Sequence, residues 1–268
     1  MQTETDDTLV AFDAEGLALP PGGRDGVVEH DGASIWYASF GDGPPVILLH
    51  GGMGHAGNMA KQVPALIAAG YRAIAIDSRG QGRSSWDGRP YSYELMAADV
   101  FAVMDQLGIA NAAVVGWSDG ACIGLVMAKA RPERVAGLFY FACNVDPSGT
   151  WLFEMSETIG RCISGHQKDY AALSPTPDGF QKMADALQVM QREQPNYGAA
   201  DLASVAGPVT VVQAERDEFI RPEHARYIAA TIPDARYIEL PGVSHFAPLQ
   251  RPAQFNAAVL DFLGRLPA

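Results

Sequence analysis

The sequence predicts an α/β fold, a mostly parallel central sheet with helices on both faces and a helical insert late in the chain. Three observations carry that expectation. Short apolar runs alternate with longer Ala-rich or amphipathic runs at the spacing of βα units, before residue 143 and again after residue 207. Between about Asn144 and Ala206 the alternation lapses: strand-like runs vanish, and Pro147, Pro175, Pro177 and Pro195 punctuate the stretch. Finally, Gly116-Trp117-Ser118-Asp119-Gly120 joins an apolar run, Ala112 to Val115, to an Ala-rich run, Ala121 to Ala130, and so describes a strand, a sharp turn and a helix.

With 268 residues, 28.6 kDa and 48% hydrophobic residues, the chain has material for one large domain. A net charge of -12 leaves no electrostatic footprint for nucleic acid or an anionic membrane, so neither is an expected partner. Eight acidic residues against the single Arg24 fall in the first 31, which makes residues 1–26 an expected acidic, solvated extension. Cys122, Cys143 and Cys162 are an odd set without C-x-x-C spacing, so neither a disulfide framework nor a zinc site is expected, and no cofactor is implied. The chain opens without a basic segment followed by an apolar one, and no apolar run reaches the roughly 18 residues of a membrane span. A cytoplasmic address is the expectation.

Taken in order, Gly26 to Tyr37 reads as strand broken by an Asp31-Gly32 hairpin turn, and Val46 to Leu49 as a buried strand. The latter ends in His50-Gly51-Gly52-Met53-Gly54. Its glycines let the backbone turn sharply and leave amides uncovered, as an oxyanion hole requires. His50, at a strand end, is expected to order its loop. Met59 to Ala69 reads as a helix whose start Pro64 pushes later, and Tyr71 to Ile76 as a strand. The glycines of Asp77 to Ser84 do not form G-x-G-x-x-G, so that loop is structural and not a nucleotide site. Tyr93 to Leu107 is a helix closed by Gly108; the helix after Gly120 stops before Pro132, and Val135 to Ala142 is the next strand. In the insert, Met183, Leu187 and Met190 recur at helical spacing, while Trp151, Phe153, Met155, Tyr170 and Phe180 suit either packing or a pocket roof. Alternation resumes with strands at Val209 to Gln213 and Arg236 to Leu240, and helices at Pro222 to Thr231 and Pro252 to Leu266. The loops 214–222 and 241–246 leave the carboxyl ends of strands, the edge where open α/β sheets place their sites.

Ser118 is the candidate nucleophile. A G-x-S-x-G turn between strand and helix is a nucleophile elbow, with glycines where a Cβ would collide; the alternative is a serine that merely caps the helix. A serine needs an adjacent base, itself oriented by a carboxylate. The chain supplies Ser118, Asp217 and His245 in that order, and with the alternating elements, the glycine-rich loop and a histidine ahead of the last helix it resembles the α/β-hydrolase superfamily from about Val27 onward.

The resemblance implies the α/β-hydrolase fold, with a core of residues 27–143 and 207–268 and a helical cap of residues 144–206. It implies His245 as general base, Asp217 as orienting acid with Asp146 the alternative, and an oxyanion hole from the amides of Asp119 and either Gly52 or Met53. Glu218 is expected to be a solvated neighbour. A serine in place of an aspartate nucleophile argues against dehalogenases and epoxide hydrolases. Asp119 and Phe246 depart from the methionine after the serine of ring-cleavage-product hydrolases and haloperoxidase-like members, and from the tryptophan after the histidine of the former. The Trp-Ser-Asp-Gly elbow is similar to that of valacyclovir-hydrolase-type esterases, which act on small esters carrying an amino group. The expected function is therefore serine hydrolysis of a small-molecule ester, lactone or amino-acid ester by a monomer or small homo-oligomer. Candidate substrate contacts are Asp119, Trp151 and Phe246. Carbon–carbon bond hydrolysis of ring-cleavage products, haloperoxidase-like perhydrolysis and a non-catalytic small-molecule receptor are the alternatives.

Overall fold

The computed structural model describes residues 7–267. Strands β1 (Arg24–His30) and β2 (Ala33–Phe40) form the expected hairpin, in which Asp31 and Gly32 take φ of 42° and 82°, the left-handed pair that a two-residue turn requires. Strands β3 (Pro45–Leu49), β4 (Arg72–Ile76), β5 (Ala112–Trp117), β6 (Val135–Phe141), β7 (Val209–Arg216) and β8 (Arg236–Ser244) complete one sheet in the order β1-β2-β4-β3-β5-β6-β7-β8. The pairings of β2 with β1 and with β4 are antiparallel, and every pairing from β4 to β8 is parallel.

A parallel strand is buried on both faces, hence the unbroken Val-Ile-Leu-Leu of β3. Its alternate side chains enter different cores. Ile47 and Leu49 pack with residues of α3 (Tyr93–Gln106), α4 (Asp119–Ala130) and α8 (Pro222–Thr231), whereas Val46 and Leu48 pack with α2 (Val63–Ala68) and α10 (Pro252–Leu263). Because β3 and β5 are neighbours, the Gly-rich loop after Leu49 and the turn after Trp117 emerge side by side at their carboxyl ends. Asp217 and His245 follow β7 and β8 on that same edge.

Between β6 and β7 lie α5 (Glu157–Leu173), α6 (Phe180–Glu193) and α7 (Ala199–Ala203). Ser156 starts α5 by accepting the Ile159 amide at 3.1 Å. Met183, Leu187 and Met190 of α6 are buried and join the core on the α3 side, so this stripe is packing. The last expected helix is α10, which starts at Pro252 and ends at Leu263 rather than Leu266, and α9 (Ala247–Gln250), a single turn too short to leave a periodic signal, precedes it.

The acidic segment at the start of the chain is not free in solvent where it is described. Residues Asp7–Glu15 form α1, whose Leu9 and Phe12, three positions apart, are buried against the rest of the protein. Phe12 lies over α5 at Gly165, where a Cβ would stand 2.6 Å from the ring. Lys168 pairs with Asp13 at 3.0 Å, and the Leu17 amide donates to Asp169 at 3.2 Å. Two apolar side chains outweigh the charge count. Of the expected extension's other acids, Asp25 lies in β1, while Glu4 and Asp6 lie outside the described residues. Among the described residues no helix is long and apolar enough to cross a membrane.

Candidate active site

Ser118 stands between β5 and α4 with φ 54° and ψ -121°, a conformation that side chains other than glycine rarely adopt. Its backbone is over-determined: the amide donates to Phe141 O at 2.8 Å, and the carbonyl accepts from Ala121 N at 2.8 Å and Cys122 N at 3.1 Å. The hydroxyl makes no capping bond, which disposes of the helix-cap alternative. Both flanking glycines are required sterically. A Cβ on Gly116 would lie 2.4 Å from Gly120 O, and one on Gly120 would lie 2.3 Å from Leu49 O. This absence of side chains seats α4 directly on the end of β3.

The loop after β3 runs along the serine, since a Cβ on Gly51 would sit 3.3 Å from Ser118 Cβ. Gly54 N closes a turn onto Gly51 O at 3.2 Å, and Met53 takes a left-handed φ of 65°. His50 organises this loop. Its Nε2 accepts the Ser78 amide at 3.0 Å, so Nδ1–H donates to Gly51 O at 2.7 Å, and burial pushes the imidazole down to about 4, keeping it neutral. Asp119 opens α4, where its amide has no acceptor within the helix and is left for another partner.

His245 and Asp217 meet. Nδ1 of His245 lies 3.1 Å from both carboxylate oxygens of Asp217, and the carboxylate is itself fixed by the amides of Phe219 at 2.9 Å and Ile220 at 2.8 Å. With Nδ1–H facing the carboxylate, Nε2 is left as the basic nitrogen. Burial alone pushes the imidazolium down, but the Asp217 charge and hydrogen bond outweigh it and hold His245 above its ordinary value. Asp146 is elsewhere: it accepts from Ser148 N at 2.8 Å and stands 3.9 Å from His224. Glu218 is half-buried, with its carboxylate accepting the His245 amide at 3.0 Å. Burial raises its pKa, and it is not the solvated charge that its sequence neighbourhood suggests.

A cavity of about 640 Å³ opens over these groups, lined by Ser118, His245, Asp119 and Phe246 from the sheet side and by Trp151 and residues of α5 and α6 from the insert. Phe153 also lines it, stacked on Phe219, which in turn meets the His245 ring edge-on at 4.7 Å between centroids. Tyr170 and Phe180 pack on each other instead, at 5.7 Å. A wider cleft of about 850 Å³ around His224 and Asp146 contains none of Ser118, Asp217 and His245.

Asp119 is buried with both oxygens engaged: Tyr93 donates to Oδ1 at 2.8 Å and Gln191 to Oδ2 at 2.9 Å. Burial raises its pKa, while those two hydrogen bonds favour the carboxylate. The loop glycine leaves room for this, since a Cβ on Gly52 would fall 2.6 Å from both Asp119 Oδ2 and Gln191 Nε2. Tyr93 and Gln191 carried no signal in the sequence; one opens a core helix and the other sits beside an apolar stripe.

Comparison with known proteins agrees with this architecture. A family model described as alpha/beta hydrolase family matches residues 46–258. Rhodomycin D methylesterase DnrP of Streptomyces peucetius is 28% identical over 87% of this chain and 96% of its own length. The enol-lactonase of Burkholderia xenovorans LB400 superposes with a TM-score of 0.72 at 22% identity, over 90% of this chain and all (100%) of its own. A bromoperoxidase of Bacillus anthracis gives 0.74 at 20% identity, over 91% and 100%. At such identities the two structures speak for the fold alone.

Proposed function

The chain belongs to the alpha/beta hydrolase family, and on that premise we propose that it is a serine hydrolase cleaving a small-molecule ester, lactone or amino-acid ester. The observation that supports this most is the Asp217–His245 pair at 3.1 Å, opening into the same cavity as the strained Ser118. In the proposed reaction His245 Nε2 takes the Ser118 hydroxyl proton as Oγ adds to the scissile carbonyl, and Asp217 stabilises the imidazolium. The carbonyl oxygen becomes an oxyanion held by the amides of Asp119 and Gly52 or Met53. The imidazolium returns its proton to the departing alcohol, leaving an ester on Ser118. Water, deprotonated by His245, then cleaves that ester and releases the acid.

Residues 144–206 serve as the cap in this proposal, because Trp151 and side chains of α5 and α6 roof the cavity. The family's other chemistries gain no particular support from the site. A non-catalytic receptor on the same fold is separated from an enzyme by covalent labelling with a fluorophosphonate and turnover of 4-nitrophenyl esters. Stoichiometric labelling at Ser118 together with turnover is the expected result; an unlabelled, inactive but folded protein overturns the proposal.

A further inference from the structure

His166 has no structural employment for its nitrogens. It lies on α5, 7% exposed, and lines the cavity that holds Ser118 and His245. Its Nδ1 is buried without a hydrogen-bond partner, and no protein group among the described residues bonds the other ring nitrogen. Every other histidine of the chain is engaged: His30 with Asp99, His50 with Gly51 and Ser78, His55 with Gly57 and Asp169, His224 with the Val145 amide, His245 with Asp217. A buried imidazole costs free energy when its donor and acceptor go unmet, so an apolar residue would serve better if the position had only to be filled. Burial pushes the ring down to about 3, so it is neutral and offers one N–H donor and one lone pair.

The surroundings define what such a group would meet. Ile159, Cys162, Ile163 and His166 recur at i, i+3, i+4 and i+7, share one face of α5, and all line the cavity. Ile159 and His166 are separated by about 10 Å along the helix axis, so the imidazole ends an otherwise apolar wall. The wall from α6 is different in kind: Gln188, Gln191 and Arg192 line it, and Gln191 hydrogen-bonds the Asp119 carboxylate. Asp119 and Arg192 bring charged groups to the α4–α6 side of the cavity, whereas the imidazole of His166 offers only neutral hydrogen bonding from α5.

We propose that His166 is a specificity-determining residue: it hydrogen-bonds an uncharged polar group, a ketone, amide or hydroxyl, which the substrate carries beyond an apolar stretch. This rests on the serine-hydrolase proposal for what is cleaved, though not for what is bound. The rival role is packing alone, since the ring also meets Phe12 edge-on at 5.2 Å.

The test compares 4-nitrophenyl octanoate with oxo-octanoate esters in which the ketone is moved along the chain, in the parent and in His166→Phe, which keeps a flat ring against Phe12 but has no nitrogen. At one ketone position the parent is expected to favour the oxo ester by about tenfold in kcat/KM, carried by KM, the worth of one hydrogen bond in a buried site. In His166→Phe that preference disappears. An equal preference in both proteins, or none at any position in the parent, overturns the proposal. If the phenylalanine variant fails to fold, judged by its Tm, His166→Met replaces it. Calorimetric binding of octanamide and the oxo-octanamides to the parent distinguishes this failure from that of the hydrolase proposal. A parent that turns over no ester but binds one oxo-amide about tenfold better, with the preference lost in the variant, leaves His166 in its role and removes the enzyme.

Discussion

Gln191 of α6 donates to the Asp119 carboxylate at 2.9 Å, which hydrogen-bonds the helical insert to the residue immediately after the proposed nucleophile. Tyr93 of α3 holds the other carboxylate oxygen at 2.8 Å. The carboxyl group therefore joins three separate segments of chain at one wall of the cavity, where burial raises its pKa against two donors that favour the charged form.

Ser118→Ala is expected to abolish ester hydrolysis and leave the fold intact, because the attacking oxygen is lost and little volume changes. A missing triad nucleophile lowers turnover by about 10⁶. Near-normal activity from a cleanly purified variant would falsify the assignment of Ser118.

The rate should depend on pH through His245, which must be neutral to accept a proton. Its pKa is held above the ordinary value by Asp217, so kcat/KM is low at acid pH and rises through an inflection above about 6.5. Asp217→Asn removes the raising charge and is expected to move the inflection down while lowering kcat by about 10⁴. A profile flat between acid and neutral pH, with chemistry rate-limiting, removes His245 from the role.

Folding stability should fall on acidification for a separate reason. His50 and His166 are pushed down to about 4 and about 3, while an unfolded histidine titrates near 6.5. Their neutral forms therefore stabilise the native state above the unfolded value, and the contribution is lost as pH falls from there toward the depressed values. At pH near 4.5 each is expected to have cost about 2 to 3 kcal/mol. Urea titrations at neutral and acid pH measure this, and His166→Phe should shrink the difference by a similar amount; an unchanged difference contradicts the burial of a neutral ring.

The parts of the site that carry a motif or stand in a loop directly after a strand were legible in the sequence, and those placed only by a partner elsewhere were not. The elbow could be read because its two glycines flank a serine between a strand-like and a helix-like run, although Gly120 is demanded by distant Leu49 O, and the β3 loop because its glycines stand together. Asp217 and His245 were found by their loops' placement after strands, and the structure puts them 3.1 Å apart. Tyr93, Gln191 and Glu218 were not legible, because each owes its place to a partner far away in the chain: Asp119, Asp119 and His245. The helix α1 was missed for a different reason. Acidic composition dominated the expectation, but two apolar residues on one face suffice when Gly165 opens a slot for Phe12.

Asp119 has two roles to separate. A carboxylate in the first turn of α4 is favoured by the helix dipole whatever the substrate, and Tyr93 and Gln191 already satisfy an oxygen each. Yet a carboxylate oxygen accepts more than one hydrogen bond, and Asp119 lines the cavity beside Ser118. A substrate ammonium would pair with a charge whose burial is otherwise costly, whereas an anionic substrate would be repelled. Asp119→Asn keeps the backbone amide and nearly the shape. It is expected to lower kcat/KM for amino-acid esters about ten- to a hundredfold more than for neutral esters of similar size, since a charge-assisted bond contributes on the order of 1.5 to 3 kcal/mol. The measurement is a matched pair, such as the 4-nitrophenyl esters of an amino acid and of its deaminated analogue. Equal losses on both would make Asp119 a brace between α3, α4 and α6, and would leave selectivity to the insert.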